Sequence, residues 1–322
     1  MTAKGRIVPA TEEYLMEASL IIRRGGLVAF PTETVYGLGA NALDSGAVKG
    51  IFAAKGRPQD NPLIVHVSGA RQAAEYAEVG ECALKLMDSF WPGPLSIVLY
   101  STGGVPDVTR AGLDTVALRV PRHPVALSLI EKSGVPIAAP SANRSGRPSP
   151  TSAGAVADDL GSAVDLIIDG GPTFVGLEST VVDATRGSAA ILRPGCVTRE
   201  MLARVVGLSG GGCGEIAHRS PGTRHRHYAP DIPLFLWDGT DRAPFREASG
   251  LKWCYMGTRT PPRDIGTPHR EIIFSSLGEY ARGLFARLRE FEASGAEMII
   301  AQIPEEGGIG SAIRNRLGRA AE

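Results

Sequence analysis

The stretch LVAFPTETVYGLGANALDSGAVKGIFAAKGRPQDNPLIVHV, residues 27–67, decides the fold. LVAF (27–30) is an unbroken apolar run, the mark of a short buried strand, and LIVHV (63–67) has the same character. Between them Val48, Ile51 and Phe52 fall on one helical face, so 44–54 reads as a helix. Strand, helix and strand in quick succession indicate a layered α/β architecture. The pattern extends both ways. Residues 11–24 read as a helix with Leu15, Ala18, Ile21 and Ile22 inward, Glu12 and Glu13 in its first turn and Gly25-Gly26 at its end. Downstream, 70–90 reads as helix broken near Gly80, and 123–132 as another. Strands are expected at 95–100, 115–120, 136–140, 165–169, 179–184 and 189–195. The last two form a hairpin closed at Thr185-Arg186-Gly187.

A chain of 322 residues favours about two domains, and 43% hydrophobic content is enough to give each a core. The glycine-rich stretch 207–232 lacks helical or strand periodicity and reads as a linker or lid. It separates a unit at 1–206 from a smaller one at 233–322. In the latter, LFLW (234–237), KWCYM (252–256) and EMIIAQI (297–303) read as strands. A helix at 276–294 carries Leu277, Tyr280, Leu284, Leu288 and Phe291 at helical spacing. This makes a small Rossmann-like βαβ domain. Lys+Arg and Asp+Glu are both 34, which excludes a surface built for bulk phosphate neutralisation. Cys82, Cys196, Cys213 and Cys254 form no CxxC pair, no signal core opens the chain and no apolar run is long enough to span a bilayer. A cytoplasmic location is the expectation.

No GxxxxGK[ST], GxSxG or HExxH motif is present, and GLGANA (37–42) has Ala42 where a dinucleotide fingerprint needs a third glycine. Chemistry concentrates instead where strands end. FPTETVYGLGANA (30–42) reads as a strand-to-helix turn offering Thr32 and Thr34. KGRPQDNPLIVHV (55–67) carries Lys55, Arg57 and the strand residue His66. Arg119 sits inside an apolar strand, either facing solvent or holding an anion. PIAAPSANRSGRPSPTS (136–152) supplies Ser141, Asn143, Ser145 and Ser149, and the hairpin supplies Ser179, Thr180 and Arg193. Four cations and many hydroxyls without a nucleophilic thiol or triad fit joint binding of a polyphosphate and a carboxylate. Cys213, His218, His225 and His227 form a second, weaker candidate, a zinc set.

PTETVYGLGANA, KGRPxxNPL, FWPGPL, ALRVPRHP, APSANRSGRPSPT and GxESTVVD…ILRPG together resemble the YrdC-like domain. With SPGTRHRHYAP and the ending PEEGGIGSAIRNRLGRAAE, nearly the whole chain resembles the two-domain threonylcarbamoyl-adenylate synthases. The resemblance implies a YrdC-like twisted-sheet α/β domain followed by a small Rossmann-like domain. It implies that L-threonine, bicarbonate (or CO2) and ATP give threonylcarbamoyl-AMP and pyrophosphate, with Mg2+ carried on the ATP phosphates and no metal held by protein ligands. A downstream transferase would then modify tRNA next to the anticodon, without stable nucleic acid binding or a membrane here. The KxR…SxN signature maps to Lys55, Arg57, Ser141 and Asn143, implied around the phosphates and the carbamate. Threonine is implied at Thr34, His66, Arg119, Ala139, Ser179 and Thr180, with Arg119 on its carboxylate. The nucleotide is implied at Arg57, Asn61, Thr115, Ser141, Ser149, Arg193 and Tyr228. Two other readings stand beside this one. A tRNA-binding factor would show steeply salt-dependent binding. A hydrogenase-maturation carbamoyl transferase would add an acylphosphatase-like module and CxxC zinc motifs, neither of which is visible.

Overall fold

The computed structural model describes residues 5–209, 227–262 and 266–322. The first sheet contains β1 (Arg6–Pro9), β2 (Val28–Phe30), β3 (Gly37–Asn41), β4 (Ile64–His66), β5 (Leu95–Tyr100), β6 (Thr115–Arg119), β7 (Ile137–Ala138), β8 (Leu166–Asp169), β9 (Thr180–Asp183) and β10 (Ala190–Arg193). Their spatial order is β1-β8-β2-β3-β7-β4-β6-β5-β9-β10. Pairing is mixed: β4 runs parallel to β6 and β5 to β9, whereas β3, β7 and β10 run antiparallel to their partners.

Both faces are covered, which explains why most of these strands are continuous apolar runs. On one face the helices Glu12–Arg23 and Pro124–Ser133 pack Leu15, Ile22, Leu129 and Ile130 against Val28, Phe30, Leu166 and Ile168. On the other, Ser45–Lys55, Glu81–Phe90 and Ala153–Leu160 enclose a larger core around Leu38, Phe52, Leu86 and Leu118. Local chemistry sets the helix starts. Thr11, Asp44 and Ser152 each accept a backbone N–H of the following turn, and Pro124 stands in the first turn of its helix after His123.

One expectation changes. Residues 37–41 are a strand paired antiparallel to β2, not a turn into a helix. The glycines there serve packing: a Cβ on Gly39 would lie 2.6 Å from Phe30 and 2.8 Å from Ile137 side-chain carbons. The strand β1 and the helix at 153–160 had no sequence reading; β1 is a half-exposed edge strand, too short to show a period.

The second sheet, β11 (Leu234–Trp237), β12 (Trp253–Gly257), β13 (Arg270–Ile273) and β14 (Met298–Gln302), is all parallel in the order β11-β14-β12-β13. The helices Leu277–Ala293 and Gly310–Ala321 cover one face, and Trp237, Phe245, Trp253 and Tyr255 cluster on the other. The sequence reading had no strand at β13, an edge strand without a buried residue. No helix joins β12 to β13 among the described residues.

The two units meet closely. Val35 and Leu177 of the first join the core of the second, beside Phe285 and Leu284. Arg147 grips Glu292 through two hydrogen bonds of 2.7 and 2.8 Å, and Arg289 grips Asp159 through two of 3.0 and 2.7 Å. Gly176, at φ +80°, brings main chain against main chain: a Cβ there would stand 2.4 Å from the Cα and carbonyl oxygen of Arg282.

Candidate active site

Strand ends from the first sheet converge on one cavity. The parallel register of β4 and β6 sets His66 beside Arg119 at the ends of their strands. The 31–36 loop after β2 brings Thr34, and the segment after β7 brings Ala139 and Ser141. Ser179 precedes β9 and Arg193 ends β10; Arg57 leaves the C-terminus of the 45–55 helix. Tyr228 and His227 close the cavity from the segment leading to the second domain.

Arg119 is 4% exposed, and its guanidinium lies 2.7 Å from Glu33 Oε1 and donates to Thr34 Oγ1 at 3.1 Å. Thr32 Oγ1 sits 2.8 Å from Thr34 Oγ1 and donates to the Val35 carbonyl, so the hydroxyl row is locked from below. Burial, and then the charge of Arg119, pull His66 down to about 3, so its ring is neutral. Neither ring nitrogen makes a well-formed hydrogen bond among the described residues; the ring has only weak contact with the Ile64 and Ile137 backbone. A neutral, weakly held imidazole on a cavity wall is poised for a ligand.

The nucleotide-side candidates separate into wall and scaffold. Arg57 is on the wall. One of its nitrogens donates to the carbonyls of Asn61 and Pro62 at 3.4 and 3.2 Å, and burial lowers it to about 10, still charged at neutral pH. Arg193 donates to the Ser179 carbonyl at 3.0 Å and its hydroxyl at 3.2 Å. Ser141 is on the wall, and its hydroxyl donates to Asn143 Oδ1 at 2.5 Å. Lys55 is not: its ammonium is buried behind the loop, donating to the Ser141 and Asn143 carbonyls at 2.6 and 2.5 Å. Burial lowers its proton affinity well below that of an ordinary lysine. Asn143 donates to the Arg144 and Arg147 carbonyls. The KxR…SxN signature is therefore half wall, half framework.

Four further residues also stand back from the wall. Thr180 donates to the Val197 carbonyl at 2.7 Å, so Ser179 is the hydroxyl of that pair that faces the cavity. Ser149 donates to Glu178, which does line the cavity. Thr115 starts β6, the opposite end from Arg119. Asn61 is buried next to Arg57.

Glu33, Glu178, His227 and Arg316 were not singled out for this cavity from sequence. The signal was charge balance: buried arginines need buried carboxylates, and PTET and GLEST each carry one. Burial pushes Glu178 up, but Arg316 and Arg193 outweigh it and hold the carboxyl below the usual range. Burial, then Arg57 and Lys55, lower His227 to about 3. Those two cations beside His227 repel a metal ion, which counts against the zinc set. Cys213, His218 and His225 lie outside the described residues, as does most of the linker reading. Among the described residues no His, Cys, Asp and Glu cluster could hold a metal. With Arg57, Arg119 and Arg193 on or around it and two carboxylates against them, the cavity keeps a cationic excess suited to anions.

Comparisons with known proteins identify relatives of the whole chain. Residues 20–195 match a family model described as "Telomere recombination", and residues 197–322 match "Threonylcarbamoyl-AMP synthase, C-terminal domain". A Pyrococcus abyssi threonylcarbamoyl-AMP synthase is 45% identical over 94% of this chain and 93% of its own. The Bacillus subtilis protein of the same name is 42% identical over 100% and 98%. A crystal structure of the P. abyssi protein complexed with L-threonine superposes with a TM-score of 0.89 at 42% identity, covering 98% of this chain and 97% of that one. With both family models matched in order, and full-length relatives sharing the fold, this chain belongs to the two-domain threonylcarbamoyl-AMP synthase family.

Proposed function

We propose that this cavity is where the chain, as a threonylcarbamoyl-AMP synthase, joins L-threonine, bicarbonate (or CO2) and ATP. Arg119, His66, Thr34, Ser179 and the Ala139 backbone form the threonine end, with Arg119 on the carboxylate. Arg57, Ser141, Arg193 and Tyr228 form the nucleotide end, with Asn61 and Ser149 behind it; Thr115, at the other end of β6, lies off the cavity wall. Lys55 and Asn143 hold the 139–143 loop in shape. The observation that carries the reading is the joining of three guanidinium groups, Arg57, Arg119 and Arg193, in one cavity whose wall presents no thiol among the described residues.

The threonine amine takes up bicarbonate as a carbamate with loss of water. A carbamate oxygen attacks the α-phosphorus, the bond to the β-phosphate breaks, and pyrophosphate leaves. The protein's part is positioning and charge: Arg57 and Arg193 face the growing negative charge, while the buried, ordered wall excludes water from a hydrolysable product. Mg2+ enters with ATP as part of that substrate. The product's consumer would be a transferase acting on tRNA, met transiently in the cytoplasm. No helix among the described residues is long and apolar enough to cross a membrane.

The test is ATP turnover with L-threonine and bicarbonate, read by mass spectrometry for threonylcarbamoyl-AMP, leaving out each substrate in turn, with Arg57→Ala alongside. Product that needs all three and disappears in the variant supports the reading. Untouched ATP together with tight, salt-sensitive tRNA binding would overturn it.

A further inference from the structure

The carboxyl-terminal motif PEEGGIGSAIRNRLGRAAE (304–322) has no part in the chemistry above. Its helix, Gly310–Ala321, carries Arg316, which is 0% exposed. A fully buried guanidinium is tolerable only when its donors are met. Arg316 meets them mostly in the other domain. Its Nε donates to Glu178 Oε2 at 2.7 Å, and its two Nη atoms reach the Pro194 carbonyl at 2.9 Å and the Glu178 carbonyl at 3.4 Å. Its guanidinium carbon lies 5.5 Å from the centre of the Tyr228 ring, a cation–π distance, and Phe285 packs 5.2 Å from the same ring. Tyr228 adopts φ +68°, a conformation that a bulky residue keeps only when its surroundings hold it. Glu178 and Tyr228 line the cavity, and Arg316 stands directly behind both.

We propose that Arg316 is a positioning residue for the adenylation site: the second domain delivers its guanidinium behind the wall, where it fixes the Glu178 carboxylate against Ser149 and seats the Tyr228 ring. The proposal rests on the reading of the cavity as the threonine and nucleotide site. Both Glu178 oxygens are engaged, one by Ser149 and one by Arg316, so the carboxylate keeps a single orientation. Arg316 does more than glue the domains. The Arg147–Glu292 and Arg289–Asp159 pairs already span the interface, and none of those four residues touches the cavity. The groups facing Glu178 are Arg316 from the last helix, Arg193 from β10, Lys55 from the 45–55 helix, and His227 and Tyr228 ahead of the second domain. Without Arg316, burial regains weight and the carboxyl moves up. A protonated Glu178 no longer balances Arg193.

The test compares full-length wild type with R316Q, R316K and E178Q. Two readouts run from weakly acidic to weakly alkaline pH: steady-state synthesis, and a 13C-glutamate NMR titration of substrate-free protein with Glu178 assigned from E178Q. In wild type and R316K, Glu178 stays ionised across the range. In R316Q its titration enters the range, and kcat gains an acid limb at the same pH. KM for ATP rises about tenfold or more, as for loss of a hydrogen bond to a charged group, while KM for threonine stays within about twofold. E178Q shows the raised KM for ATP without the added limb. An unmoved Glu178 signal in R316Q, or a uniform loss of kcat with the wild-type pH profile, overturns the positioning role. Should R316Q fail to fold, E178Q decides: wild-type constants there overturn the proposal. A wild type that makes no product sinks the functional reading instead, while the titration still judges Arg316 on its own.

Discussion

Glu33 and Arg119 form a pair that separates stability from binding. Glu33 is 0% and Arg119 4% exposed, with 2.7 Å between them. Replacing Arg119 by Gln leaves a buried carboxylate without its counter-charge, a change that costs about 3–5 kcal/mol. For a domain of this size each kcal/mol moves the melting temperature by about 2–4 °C, so R119Q should melt about 6–20 °C below wild type. Adding Glu33→Gln removes the stranded charge, and the double variant E33Q/R119Q should recover most of that loss. Threonine binding should behave differently. Both variants lack the guanidinium assigned to the substrate carboxylate, a loss of about 2–5 kcal/mol, or at least thirtyfold in Kd. Thermal melts and isothermal titration with L-threonine on the three proteins test this. A double variant that binds threonine like wild type removes Arg119 from the carboxylate site. A single variant no less stable than the double removes the pair's energetic role.

Arg57→Ala should cut threonylcarbamoyl-AMP synthesis by about 100-fold or more, the scale for losing a charge-stabilising donor in a closed site, and a loss under tenfold would contradict its place on the phosphates. Lys55→Met should lower kcat by loosening the 141–143 loop. An unchanged rate with intact folding would show that the carbonyls of Ser141 and Asn143 need no cation. His66 and His227 are both held near 3, against an ordinary value of 6.5. As pH falls below about 6.5 the unfolded chain binds protons that the fold refuses, so each histidine erodes stability by about 1.4 kcal/mol per pH unit down toward 3. Their contribution is complete above about 6.5. H66Q/H227Q should therefore show a flatter acid arm in a chemical-denaturation series, and an unaltered slope would mean that the rings are charged in the fold. On the proposed reading magnesium enters with ATP, so a chelator should end turnover while leaving the melting temperature in place; a lowered melting temperature would reveal a protein-held metal.

The readable parts of the fold were those whose burial is complete. LSIVLY became a strand with the expected bounds, and Leu15, Ala18 and Ile22 of the first helix are buried as their spacing required. Strands β1 and β13 were not readable because each lies at a sheet edge with at most one buried residue. Gly37 to Asn41 misled for another reason: glycines accommodating Phe30 and Ile137 look the same in sequence as glycines approaching a phosphate. At the site, His66, Arg119, Ser141 and Arg193 announced themselves as polar residues at or just beyond the ends of apolar strands, and Arg57 as a cation leaving a helix end. Which of them reach the wall could not be read. Lys55 and Arg57 are two residues apart, and only the left-handed turn at Gly56 sends one behind the loop and the other into the cavity. Arg316 was beyond reach, since its partners lie 122 to 138 positions away along the chain.

The contact at Gly176 bears on how such a two-part enzyme can change over generations. At pairs such as Arg147–Glu292 and Arg289–Asp159 the seam is side chain on side chain, where a loss on one surface can be repaired by a gain on the other. At Gly176 the neighbour is the backbone of Arg282, which every amino acid shares. No substitution at 282 can make room for a methyl group at 176, so a variant there has no second-site suppressor on the facing helix. The two positions inherit opposite freedoms: one is confined to glycine, while the other can drift as far as the helix allows. The spacing that lets the last helix reach Glu178 is thus set by a contact indifferent to the identity of its partner.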